Sequence, residues 1–391
     1  MLSRFERGSA SEGEQRAANW IADRMRERGF ETAVEEEAAS GGYWWPLSLA
    51  NLLAVAGAWA ARRGGLRRRV LGASVAGVGA AAVWDEASGG SLWFRRALFA
   101  RRTTWNVVAK AGDPHARRTV VLLAHHDAAH SGLIFHPALP RAGARLAPRL
   151  HERSSHTLPV LYAVWLGPAL VCVAAATGAR RLLGPGAALA LGAIAALANI
   201  GLSSVVPGAN DNLSAVGALL AIGEELEQRP SRDLRVWLVS TGSEESLMEG
   251  MRGFARRHFG ELDPAATEIV CLECLGGPRL VVLEGEGMLR MRDYPEQARE
   301  QLAAAARAAR VRAARGLRTV ASTDALIALR AGYHVSTLAS VDYTKFPSNY
   351  HWPSDVPEAL EWDTIEDAIS TCIELLRGCA ARDTLWAGGK T

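Results

Sequence analysis

Five side chains with metal-ligating chemistry stand just after strand-like runs or just before helix-like ones: His125, Asp211, Glu245, Glu273 and His351. Asp211 sits in Pro207-Gly208-Ala209-Asn210-Asp211-Asn212, after a long apolar run and ahead of a helix-like segment, which predicts a tight turn on which side chains from other strands can converge. His125-His126-Asp127 closes a buried strand, and residues two apart share a side of an extended chain, so Asp127 can hold the His125 imidazole in one tautomer. Alone, such a pair is more often an ordinary polar strand end. Glu244 and Glu245 follow another apolar run; adjacent buried carboxylates repel unless a cation is near, and they diverge, so one can bind metal while the other faces a water. An acidic helix start explains the same pair without metal. Glu273 follows Ile269-Val270-Cys271-Leu272, where burying a carboxylate without a partner is costly. His351 lies in a loop with Tyr350 and Asp355, and by itself reads as an exposed histidine. As a set, two histidines and three carboxylates suit zinc, and an aspartate bridging two ions about 3.5–4 Å apart gives each three protein ligands plus a shared water.

The elements that must carry these residues alternate. Strands are expected at 30–34, 106–109, 119–124, 234–240, 268–272, 280–283 and 335–341, and helices at 11–28, 213–227, 250–259, 295–309 and 364–377. Ser11-Glu12-Gly13-Glu14 has the form of a capping box at the first helix. This alternation predicts an α/β fold, a three-layer α/β/α sandwich with a mainly parallel mixed sheet and ligands gathered at strand ends.

The remainder of the chain is unusually apolar. Of 391 residues 49% are hydrophobic and mean hydropathy is +0.02, high for a purely soluble enzyme. Segments 44–61, 70–84, 158–178 and 182–206 carry no charge inside their apolar stretches; the 18 residues of the first reach roughly 27 Å, close to a bilayer's hydrocarbon thickness. Four buried Ala-rich helices of a soluble domain would give similar composition, but the two longest runs lack the polar face of a surface helix. Two transmembrane hairpins are therefore expected, at 44–84 and 158–206, interrupting a globular domain formed by 1–43, 103–130 and 207–391, with a loop insert at 131–157. A lipid bilayer is the expected partner, with a multi-pass location and the catalytic part on one side. The basic run Arg62 to Arg69 lies between apolar segments without interleaved aromatics, which fits a juxtamembrane loop and excludes a nucleic-acid patch. Net charge is only +3. Five cysteines make no disulfide framework, and Cys271 and Cys274 have no second pair to complete a zinc ribbon. Residues 1–42 are polar, so no cleavable signal sequence is expected. His126, His130, His136, His151 and His156 are expected to be solvated loop residues.

The motifs Ala124-His125-His126-Asp127, Pro207 to Asn212, Gly242-Ser243-Glu244-Glu245 with Gly250 downstream, strand-end Glu273, Ser322-Thr323-Asp324 and Tyr350-His351-Trp352-Pro353-Ser354-Asp355 occur in one order. In that order they resemble the two-zinc exopeptidases, metallopeptidase family twenty-eight, which includes aminopeptidases and glutamate carboxypeptidase. The resemblance implies that His125, Asp211 and Glu273 hold one zinc and Asp211, Glu245 and His351 the other. It implies Glu244 as general base, Asp127 as orienter of His125, and Tyr350 as a donor to the tetrahedral oxyanion. It further implies an aminopeptidase acting on N-terminal peptide bonds of a peptide substrate, here a membrane-inserted variant in a bacterial plasma membrane. Two departures stand out: the long insert between His125 and Asp211, and Ala325 where relatives often place a histidine. A single-zinc, glutaminyl-cyclase-like transferase and a non-catalytic receptor-like membrane protein are the competing readings.

Overall fold

The computed structural model describes residues 1–159 and 161–387. The chain begins with α1 (Glu12–Glu27), β1 (Glu31–Ala39), α2 (Trp44–Arg62), α3 (Leu66–Ala87), α4 (Trp93–Leu98), β2 (Arg102–Gly112) and β3 (Thr119–His125). An inserted region follows with α5 (Ala138–Leu146), α6 (Pro148–Arg153), α7 (Tyr162–Thr177) and α8 (Leu183–Leu202). Then come α9 (Ser214–Gln228), β4 (Arg235–Thr241), α10 (Glu249–His258), β5 (Thr267–Glu273), β6 (Arg279–Val282), β7 (Gly285–Glu286) and β8 (Arg292–Asp293). The chain closes with α11 (Glu296–Ala308), β9 (Arg318–Thr319), α12 (Ala325–Arg330), β10 (His334–Val341) and α13 (Trp362–Ala387).

Seven strands form one sheet in the order β1-β2-β4-β3-β5-β10-β6. The central four, β4, β3, β5 and β10, run parallel, and β1, β2 and β6 are antiparallel at the margins. Successive side chains of a strand face opposite ways, so each central strand feeds two cores. Val120, Leu122, Val236, Leu238, Val270 and Leu272 join α1, α9 and α13 on one face. Val121, Leu123, Trp237, Val239, Ile269 and Cys271 join α10 and α12 on the other. This is the expected three-layer sandwich. All five cysteines are free thiols, four of them buried.

Three expectations are corrected. The edge strand does not stop at residue 34 but runs to Ala39 through the glutamate run, because α10 supplies the compensating charge: Glu35 meets His258 at 2.9 Å and Glu37 meets Arg256 and Arg257 at 3.0 and 2.8 Å. The capping box is half formed. Ser11 accepts from the Glu14 N–H, but the Glu14 side chain is buried and accepts from Thr104 and Ser243 instead. The 131–157 insert is not a plain loop, since it folds into α5 and α6.

The four apolar segments pack as a bundle: α2 lies against α3, α7 and α8, and α7 joins α3 to α8. Gly57 and Gly72 allow the α2–α3 backbones to touch; a Cβ on either would stand 2.6 or 2.5 Å from the other's carbonyl oxygen. By length and composition Arg180–Leu202 is the one helix among the described residues suited to cross a membrane, and α7 is apolar but has only 16 residues. The outer surface of the bundle is nevertheless apolar, with Leu52, Trp59, Leu71, Val78, Leu166, Val173 and Leu191 exposed.

A buried ion cluster joins this bundle to α10 and the loop before it. Arg95 on α4 meets Glu86 at the end of α3 at 2.6 Å and Glu249 at 3.4 Å, and donates to the Ser246 carbonyl at 2.8 Å. Removing one member of such a group leaves the others charged and unpaired. The substitution Arg95→Met is expected to lower stability by about 3–5 kcal/mol, read as a fall in the denaturation midpoint. Adding Glu86→Gln should recover part of that loss.

Candidate metal centre

Parallel strands present their carboxyl ends on one edge, and β3, β4 and β5 each deliver a candidate ligand there. His125 is the last residue of β3 and pairs in register with Thr241 of β4. Glu244 and Glu245 follow β4, Glu273 ends β5, and His351 lies in the loop after β10. Asp211 stands in the turn Ala209–Leu213 that opens α9, 86 residues from His125 in sequence.

The structure brings all five candidate ligands together around Asp211. Asp211 Oδ1 is 3.1 Å from His125 Nε2, and Asp211 Oδ2 is 3.2 Å from His351 Nε2. His125 Nε2 also lies 3.5 Å from Glu273 Oε1, and His351 Nε2 lies 3.1 Å from Glu245 Oε2. The two oxygens of one carboxylate thus face different histidines, and ligand atoms of His125, Asp211 and Glu245 all lie within 4.8 Å of one another. Glu244 Oε2 approaches His125 Nε2 only to 3.9 Å.

The electrostatics fit a cation-binding site. Burial raises the carboxyls of Glu244, Glu245 and Glu273; Glu245 is pushed up to about 7 despite the opposing pull of His351. Burial also disfavours the charged form of Asp211, but hydrogen bonds from His125 and His351 hold it well below the usual carboxylate range. The imidazoles respond in kind: burial lowers His351, and Glu245 and Asp211 overcome it to set it at about 10. Glu245 Oε1 and His351 Nδ1 are buried without a hydrogen-bond partner. A crowd of buried acids with unsatisfied donor atoms is stabilised by divalent ions, and histidine with carboxylate oxygens is the donor set of zinc.

A second tier of side chains fixes the first. Asp127, fully buried, lies 3.3 Å from His125 Nδ1 and accepts from Ser9 Oγ at 2.7 Å and from the N–H groups of Glu244 and Glu245 at 3.1 and 3.2 Å. One carboxylate therefore holds both the histidine and the adjacent glutamates. Asp355 accepts from the N–H groups of Asn210 and Asp211 at 2.6 and 3.1 Å. Asn212 donates to the Leu272 carbonyl at 2.9 Å and accepts from Cys274 N at 2.9 Å, locking the Asp211 turn to the end of β5.

Two participants, Arg7 and Phe135, carried no sequence signal. Arg7 is buried and donates to the carbonyls of Leu2, His126, Pro207 and Gly208, tying the amino terminus to both the His125 and Asp211 segments. Phe135, from the insert, packs edge-on against His351 with ring centroids 4.5 Å apart. Tyr350 stacks on His351 at 3.7 Å. Asp324 accepts a hydrogen bond from Thr241 Oγ1 beneath the site. Two histidines expected to be solvated are not: His126 is buried against Ser240 Oγ at 2.9 Å, because it points away from the site into the sheet, and His130 is half-buried against Trp44 and the Ser203 carbonyl. His136 and His156 are exposed as expected.

The role of Asp127 is testable apart from turnover. The substitution Asp127→Asn is expected to weaken zinc binding by about 10–100-fold in a chelator competition while the protein stays folded.

Residues 197–376 match the family model described as Peptidase family M28. No curated protein matches the chain in sequence. Among solved structures the chain is similar to a Zn-dependent exopeptidase from Parabacteroides distasonis, at 13% identity and a TM-score of 0.55, covering 96% of this chain and 93% of that one. A zinc aminopeptidase from Bacillus subtilis is similar at 13% identity and 0.52, covering 96% and 91%. A glutaminyl cyclase from Bacteroides thetaiotaomicron is similar at 14% identity and 0.54, covering 96% and 93%. Residues 197–376 are thus similar to Peptidase family M28, and the chain as a whole shares its fold with zinc exopeptidases.

Proposed function

We propose that the protein is a zinc-dependent exopeptidase of the aminopeptidase type, with His125, Asp211 and Glu273 holding one zinc and Asp211, Glu245 and His351 a second. The observation that supports two ions is the division of Asp211, one oxygen toward His125 and the other toward His351. Zinc bound there would polarise the scissile carbonyl and lower the pKa of a water to about 7.

The chain's own residues do the rest. Glu244, a ligand to neither ion, receives a proton from the attacking water on its carboxylate and passes it to the departing amine nitrogen. Asp127 is a positioning residue: it sets the His125 tautomer and the direction of the Glu244 backbone. Tyr350 lines the same cavity as Glu244, and its hydroxyl is the donor proposed for the oxyanion. That cavity, of about 140 Å³, also bears Asp211, Glu245, Glu273 and His351, and its remaining wall is mostly apolar, with Leu283, Met288, Leu317 and Val320, but includes Thr319, Ser322, Thr323, Ser340 and Lys345. A compact, mostly apolar pocket beside the ligands supports removal of one terminal residue at a time.

The four-helix bundle is proposed to sit in a bilayer as a multi-pass unit. Its exposed apolar exterior and the length of α8 support this reading.

The fold is shared with glutaminyl cyclases, so the experiment must separate the two chemistries. Zinc-loaded protein is expected to release leucine from leucine p-nitroanilide, to lose activity on chelation, and to contain two zinc ions per chain. Glu244→Gln should lower kcat by about 10²–10⁴-fold with zinc content unchanged. Undiminished activity in that variant would sink the mechanism; one zinc per chain with cyclisation of N-terminal glutamine would favour the transferase. Peptide binding by folded, metal-free protein without turnover would favour the receptor-like reading.

A further inference from the structure

The cavity at the metal centre is not built by the sandwich alone. Val164 of α7 and Ala196, Leu197 and Ile200 of α8 line it together with Leu283 and Met288 of the sandwich. The wall supplied by α7 and α8 is wholly apolar. Outside it lies a groove between the same two helices, lined by Ala163, Pro185, Ala188, Leu189, Gly192 and Ala193 with no polar side chain among them. Ile134, Val164 and Ala196 line both spaces. These three residues thus lie between the cavity that holds the carboxylates and the groove on α8, the helix long and apolar enough to cross a membrane, and this shared lining is apolar.

An exopeptidase needs a closed place for the terminal residue and an open path for the part that remains. The cavity at the metal centre is the more enclosed of the two spaces, and the α7–α8 groove the more open. Water gains nothing from a groove without hydrogen-bonding groups, whereas hydrocarbon does. We propose that the substrate is a peptide or amide carrying a long hydrocarbon chain on the leaving-group side of the scissile bond, and that this chain lies in the α7–α8 groove while the free amino end reaches the metal centre. The span from Pro185 to Ala196 corresponds to about 16 Å of helix, room for an acyl chain of roughly a dozen carbons. This inference rests on the exopeptidase reading: water cleaves the amide C–N bond, giving the amino acid carboxylate and the alkylammonium leaving group.

Leucine N-alkylamides from methyl to decyl, assayed with the zinc-loaded full chain in lipid nanodiscs, test it. In the wild type kcat/KM is expected to rise at least about tenfold along the series, mainly through KM, since each buried methylene favours binding. Gly192→Phe fills the groove; a Cβ there meets nothing within 4 Å, and the residue does not line the cavity. That variant should keep wild-type zinc content and N-methylamide hydrolysis but lose the rise, and Ala188→Leu should do the same more weakly. Partition of longer amides into lipid is equal for all three proteins, so the difference between them reports the groove. A flat series in the wild type, or an equal rise in both variants, would overturn the proposal while leaving the exopeptidase reading intact. Absence of any hydrolysis of N-methylamide and p-nitroanilide alike would overturn both.

Discussion

The structure depends on how much negative charge it gathers at one edge of a sheet. Asp211, Glu244, Glu245, Glu273, Asp127, Asp324 and Asp355 all lie in or just beneath one site, most of them shielded from water. Two unit charges about 4 Å apart repel by about 4 kcal/mol at an effective dielectric of 20, so such a crowd must be offset. The chain offsets it in two tiers. Asp127 and Asp355 receive backbone N–H groups, and Arg7 lies close enough to Asp127, Asp355 and Asp211 to oppose their charge. Asp211, Glu245 and Glu273 receive chiefly imidazole nitrogens, which leaves them available to cations.

That division explains why the supporting residues come from so many places. Ser9 and Arg7 arrive from the amino terminus, Asn212 from the turn before α9, and Asp355 from the loop before α13. Arg7, Asn212 and Asp355 fix backbone segments, and Ser9 fixes the Asp127 carboxylate. A ligand held only by its own rotamer would drift when the ion left, whereas one on a strand end anchored by neighbouring backbone stays close to its binding geometry.

Much of this was legible in the sequence, and the reasons differ by residue. The central strands were readable because they are fully buried runs of β-branched and aliphatic residues, and His125, Glu245 and Glu273 because they end or follow such runs, whereas Asp211 and His351 were legible from the motifs around them. Of the second tier only Asp127 was readable, from its place two residues after His125. Arg7 stands in a polar amino-terminal stretch like any surface arginine, and its importance comes from carbonyls 119 to 201 residues away. Glu14 matched a local capping pattern, yet a tertiary demand at Ser243 took its side chain. The strands β7, β8 and β9 have two residues each, too few for periodicity to register. His126 groups in sequence with the histidines of the insert, yet its backbone still pairs with Thr241 just past β3, which buries its ring against Ser240.

The apolar bundle is more than an appendage to the sandwich. Phe135 touches His351, Arg95 reaches the carbonyl just after Glu245, and α8 leads within a few residues to the Asp211 turn. All three contacts fall on the ligand loops, not on the sheet's far edge. The cavity beside the carboxylates is consequently a joint product of the two parts, its polar floor from strand ends and one apolar wall from α7 and α8. A chain stripped of those helices could retain every ligand and still lack the surface against which an apolar substrate would lie. The long insertion between His125 and Asp211 therefore bears on which substrates reach the centre, while the strand ends determine the chemistry performed there.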